Sequence, residues 1–197
     1  MNKSNRKILK RLSALLVLTL VVAIIGGLGG LIHVLADDHQ AVQQASTARA
    51  TAISIVSKAA DTAVGTITFP EGAASAVISD PYNNVDGDTD PQILDDSSSE
   101  PVVRLKNTSG GTLRVWLSIT DWSNNIADAQ HYELVATDTT NINAVTTVLS
   151  SDGNAATVDT TETISSDTYK ALYLKLTLSS LAGKTGTSTL TILGESS

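Results

Sequence analysis

Short runs of Val, Ile, Leu and Thr, broken by Gly, Asn, Asp and Ser, recur from Thr51 to the end of the chain, and in the clearest of them every second residue is apolar. From Thr112 to Thr120, Leu113, Val115, Leu117 and Ile119 alternate with Arg114, Trp116 and Ser118. Successive side chains of a strand point to opposite faces, so this spacing predicts one face in a core and the other mostly polar. Lys170 to Ser179 repeats the pattern, with Leu172, Leu174, Leu176 and Leu178 set against Tyr173, Lys175 and Thr177, and Thr187 to Leu193 reads as a last strand. Weaker strands are expected at Ile53 to Ser57, Val64 to Phe69, Ala76 to Ser79, Val102 to Lys106, Tyr132 to Thr137 and Val145 to Leu149. Nine short strands without a long helical pattern predict an all-β antiparallel sandwich or barrel. Asn107-Thr108-Ser109-Gly110-Gly111 reads as a hairpin turn, because Gly and Asn tolerate positive φ. Asp80 to Glu100 and Asn154 to Thr168 read as acidic or Thr/Ser-rich loops.

The start of the chain follows other rules. Residues 1–11 are basic, and Leu12 to Leu35 are nearly all apolar, interrupted by Ser13, Thr19, four glycines and His33. A basic segment followed by an apolar one is the layout of a secretory signal. Val34-Leu35-Ala36 places small residues at minus three and minus one of a cleavage after Ala36, just before the polar Asp37-Asp38-His39-Gln40. The apolar stretch is also long enough to span a bilayer, for which about 20 residues suffice, so an uncleaved anchor is the competing expectation. The expected organisation is a signal peptide over 1–36, an N-terminal arm over 37–57 and a sandwich domain over 58–197, exported to the cell surface or beyond.

Charge sharpens this division. The chain has 13 basic and 20 acidic residues, net -7, but Lys3, Arg6, Lys7, Lys10 and Arg11 all precede the first acidic residue, Asp37. Removing those five leaves 8 basic against 20 acidic residues, a net charge of -12 for the exported part. Phosphate binding needs a basic footprint, so nucleic acid is excluded as an expected partner, and the membrane is met only through the leader. The absence of cysteine excludes disulfides, thiolate metal sites and thiol nucleophiles, so strand pairing, core packing or partners must hold the domain together. Twenty-four threonines after Ala36 suit a pleated surface.

No catalytic constellation stands out, and the chain is not expected to be an enzyme. A Ser-His-Asp set needs a well-placed histidine, and after removal of the leader only His39, in the arm, and His131, at the opening of a strand, are left. No Gly-rich phosphate loop and no zinc spacing occurs. The most chemically loaded stretch is Asp80 to Asp90, followed by Asp95, Asp96 and Glu100. Asp86, Asp88 and Asp90 have the spacing of the first three ligands of an EF-hand loop, which makes Ca2+ the one candidate ion, no cofactor being required otherwise. Pro91 stands where the loop glycine belongs and Ser97 where the bidentate Glu belongs, so a solvated acidic loop is the alternative. Asn107-Thr108-Ser109 is a glycosylation sequon, and Trp116, on the face opposite Leu113 and Val115, either packs under a second layer or marks a contact surface.

The basic leader, its Gly-rich end Ile25-Gly26-Gly27-Leu28-Gly29-Gly30, the Ala-rich arm and the stretch Val102 to Leu117, in which a Lys-Asn-Thr-Ser-Gly turn separates two hydrophobic strands, resemble the TasA/camelysin-like exported filament proteins and the archaeal bundling pilins. That resemblance implies a jelly-roll-like β-sandwich that polymerises with copies of itself by donor-strand complementation, forming a pilus or biofilm fibre that bundles cells. Within the arm, Thr47 to Ser57 fits the donor role, centred on Thr51, Ala52, Ile53, Ser54 and Ile55, because Ala50, Ala52 and Ser54 fall on one face and Thr51, Ile53 and Ile55 on the other. A membrane-anchored monomeric surface module binding calcium or carbohydrate is the alternative.

Overall fold

The computed structural model describes residues 41–47 and 53–196, without 96, 137, 139 and 182; the leader and its cleavage point lie outside the described residues. The described chain is all-β and builds two mainly antiparallel sheets face to face. In chain order the strands are β1 (Ala41–Thr47), β2 (Ile53–Val56), β3 (Ile67–Phe69), β4 (Val77–Ile78), β5 (Tyr82–Asn83), β6 (Val103–Asn107), β7 (Leu113–Ile119), β8 (Ala127–Val135), β9 (Thr147–Ser151), β10 (Ala156–Ile164), β11 (Tyr169–Leu178) and β12 (Gly186–Ser196). The first sheet runs β10-β7-β12-β1-β3-β5 and the second β2-β6-β11-β8-β9, with β4 pairing on the far half of β11.

The alternating residues build the core as their spacing requires. Leu113, Val115, Leu117 and Ile119 of β7 face Leu172, Leu174, Leu176 and Leu178 of β11 across one buried cluster that also holds Ile53, Phe69, Leu105, Leu190 and Ile192. Each such side chain contributes about 1.5–3 kcal/mol by leaving water. Tyr173 departs from the simple alternation: it lies on the outer face of β11 yet is fully buried, in a second cluster with Val145 and Ala171, against which Leu94 and Val135 pack. The loops after β5 and β8 therefore cover the outer face of the second sheet.

Two expectations are corrected. Asn107–Gly111 is not a hairpin turn, since β6 pairs with β2 and β11 while β7 pairs with β10 and β12, so the segment is an arch between the sheets. Neither Gly110 nor Gly111 has positive φ; the arch is shaped by Asn107, whose Nδ2 donates to Gly111 O at 2.7 Å and Ile164 O at 2.8 Å and whose Oδ1 accepts from Ser109 N. The loop expected at Asn154 to Thr168 contains the nine-residue strand β10. Only Ala156, Val158 and Ile164 mark it as apolar, and a bulge between Asp159 and Thr163 breaks the two-residue period that would have revealed it. The turn into β10 depends on Gly153, at φ +65, where a Cβ would lie 2.6 Å from Ala127 O.

These elements give the sandwich two distinct ends. Ile53, the 107–113 arch, Ile164, Tyr169 and the C-terminal residues of β12 gather at one, the arch end. Trp122, Ala127, Gly153 and Gly186 gather at the opposite end.

Candidate functional site

The feature that sets this sandwich apart is the position of β1. It is the first described strand, yet it lies inside the first sheet, parallel to β12 from Ala41↔Gly186 to Thr47↔Ile192 and antiparallel to β3 from Ala41↔Phe69 to Gln43↔Ile67. Every other named strand pairing in the described residues is antiparallel. Because β12 and β3 meet only through β1, taking it away divides the sheet into β10-β7-β12 and β3-β5. Both flanks are fixed in the core, by Leu190 and Ile192 on one side and Ile67 and Phe69 on the other, all nearly fully buried. An empty slot would thus present two facing rows of unpaired N–H and C=O groups, a template for a strand.

The residues expected to donate a strand are placed differently. Thr51 and Ala52 lie outside the described residues. Ile53, Ser54 and Ile55 form β2, an edge strand of the second sheet paired with β6, and Ile53 and Ile55 are buried in the domain's own core. The segment inside a sheet is Ala41–Thr47, earlier in the same arm, where Ala-Val-Gln-Gln-Ala-Ser-Thr carries no apolar alternation to announce it.

The acidic loop is organised around a cation that the sequence pattern did not single out. Lys58, 7% exposed, donates from Nζ to Glu100 Oε2 at 2.5 Å, Asp90 Oδ1 at 2.7 Å and Pro91 O at 3.1 Å, using all three of its N–H groups. Its backbone N donates to Asp86 Oδ2 at 3.3 Å, and Asp86 Oδ2 also accepts from Asn83 Nδ2 at 2.6 Å. Of the three residues proposed for calcium, Asp86 and Asp90 are thus turned towards Lys58 and Asn83, and Asp88 is exposed. Among the described residues no group of three or more His, Cys, Asp or Glu side chains is arranged to hold a metal ion. Beside Lys58 opens a polar cleft of about 340 Å³ lined by Asp90, Ser99, Glu100, Arg104 and Asp138, in which Arg104 is paired with Asp138 and stacks 4.7 Å over Tyr169.

A second polar device closes a gap in the second sheet. On the side of β11 away from β8, between its contacts with β6 and β4, no strand pairs Leu174; there Gln92 Oε1 accepts from Leu174 N at 2.8 Å, and Gln92 Nε2 donates to Leu174 O and Ser79 O, both at 2.8 Å. The side-chain amide thus takes the place of a peptide unit. Gln92 is 3% exposed.

The remaining sequence candidates have structural places. Asn107 is fully buried, and its amide donates to two carbonyls, so the sequon nitrogen is not offered to solvent in the folded chain. His131 lies within β8 between Lys175 and Val148, and burial, with the charge of Lys175, holds its imidazole below the ordinary value. His39 lies outside the described residues. Trp116 is half-buried on the outer face of the first sheet, beside Asp159 and Leu193, with the Arg114 guanidinium 6.0 Å over its ring. Comparison with protein-family models, curated proteins and solved structures finds no match for this chain.

Proposed function

We propose that the chain is a structural subunit of an extracellular filament, exported through its leader and polymerised by donor-strand complementation. The observation that carries this reading is β1, an N-terminal strand set in parallel within an otherwise antiparallel sheet whose two halves it alone joins. Such a strand makes the same backbone bonds whether its own domain or a neighbour receives it, because a slot reads the strand and not the chain it belongs to. Filling in cis competes with exchange at an effective concentration of about millimolar for a short tether, so exchange is favoured where exported chains meet before each has closed on itself. The short β5 edge and the bulged, charged β10 edge discourage other edge pairing of the first sheet and leave the slot as its favoured point of addition.

The test compares protein beginning at Asp37 with protein lacking residues 37–47, each refolded at high concentration and examined by electron microscopy. The longer protein should form fibres. The truncated one should form none, yet bind a synthetic peptide of residues 37–47 and melt at a higher temperature with it, since a ligand of the folded state alone stabilises that state. Normal fibres from the truncated protein, or a longer protein that stays monomeric at every concentration, would overturn the proposal.

A further inference from the structure

We infer that copies exchanging β1 keep their arch ends next to one another, and do not stack the arch end of one copy against the Gly153–Gly186 end of the next. This rests on the exchange proposed above and adds which surface the neighbour, a second copy of this chain, touches. Chain length and strand direction fix the contact. Because β1 runs parallel to β12, it enters the slot beside Gly186 and heads towards the arch end of whichever domain receives it, its last residue lying beside Ile192, four residues short of the end of β12. The donating domain resumes at Ile53, which pairs with Asn107 and packs in the space left by Gly194, at its own arch end. From residue 47 to residue 53 there are six Cα steps, which reach at most about 20–22 Å fully extended. β12 alone, with its 11 residues, is roughly 36 Å long at about 3.3 Å per residue. A tether that short cannot run from the arch end of one domain past the length of the next, so head-to-tail stacking along the strand axis is excluded. Two copies exchanging reciprocally would form a closed two-fold pair, and copies passing the strand onward would form an open chain. In both, the arch ends of exchanging neighbours lie close together.

The natural chain has no cysteine, so single cysteines report position without interference. Gly110 and Gly111 at the arch end have open space where a Cβ would stand and φ outside the left-handed region, and Asn154 at the opposite end is exposed. Spin labels are attached to Gly110→Cys and Asn154→Cys, with Gly111→Cys as a second arch-end site, and each variant is checked for assembly by electron microscopy. Pulsed dipolar spectroscopy then compares assemblies of Gly110→Cys alone with mixed assemblies of Gly110→Cys and Asn154→Cys. The separation between neighbouring arch-end labels should be the shorter of the two, at either arch-end site. A shorter separation in the mixed assemblies means head-to-tail contact and overturns the inference while leaving strand exchange intact. If every labelled and unlabelled protein stays monomeric, the exchange reading itself fails and the inference with it.

Discussion

Replacing Gln92 by Leu tests whether one side chain completes the edge of β11. The substitution keeps an apolar stem of similar size but removes the acceptor for Leu174 N and the donors to Leu174 O and Ser79 O. Leu174 is fully buried and Gln92 is 3% exposed, so water does not readily replace the lost bonds at Leu174. Two buried backbone groups left unsatisfied cost about 1–3 kcal/mol each, and the added apolar contact returns about 1 kcal/mol, for a net loss of about 1–5 kcal/mol. With a urea dependence of about 2 kcal/mol/M for a domain of this size, the unfolding midpoint should fall by roughly 0.5–2.5 M at unchanged slope. Gln92→Glu separates bonding from packing. Its carboxylate still accepts from Leu174 N but faces two carbonyls, whereas the protonated acid can donate to one of them. The folded state thus holds the proton more tightly than the unfolded chain, whose Glu titrates near about 4.3, so stability is present below that pH and lost as pH rises. The Gln92→Glu deficit should therefore be smaller at pH 4 than at pH 7, each measured against the natural protein at the same pH. A Gln92→Leu midpoint shifted by less than about 0.25 M, or a Gln92→Glu deficit independent of pH, would refute the reasoning.

Two further outcomes follow from buried polar groups. Asn107→Asp keeps the acceptor for Ser109 N but turns the donor to Gly111 O and Ile164 O into a buried carboxylate oxygen, so calorimetry should show a loss of about 2–4 kcal/mol, and an unchanged melting temperature would mean that the arch does not depend on this amide. Burial and the Lys175 charge depress the His131 imidazole, so its contribution to stability is complete above the unfolded value near about 6.5 and is lost as pH falls through the folded one. His131→Gln should accordingly flatten the dependence of melting temperature on pH between 7 and 5, and an unaltered slope would assign that dependence to other groups.

What the sequence determined by itself was the material of the fold. The two-residue alternation of Leu113 to Ile119 and of Leu172 to Leu178 specifies strands with one face in a core wherever they pair, because strand geometry is local. Pairing partners are not local, and there the tertiary structure decided. Asn107 to Gly111 has hairpin residues, yet the strands it joins bury their apolar faces from opposite sheets, so it became an arch. Strand β10 is an edge with few apolar side chains and a bulge, and it takes its extended form from pairing with β7. Asp90 and Glu100 lie 32 and 42 positions from Lys58, a distance at which spacing along the chain carries no sign of an ion pair. The same holds for Gln92 and Leu174, 82 positions apart. Most telling is Ala41–Thr47, whose own side chains offer no strand pattern: its extended form comes from the unpaired backbone of β12 and β3, a demand set by the rest of the sheet.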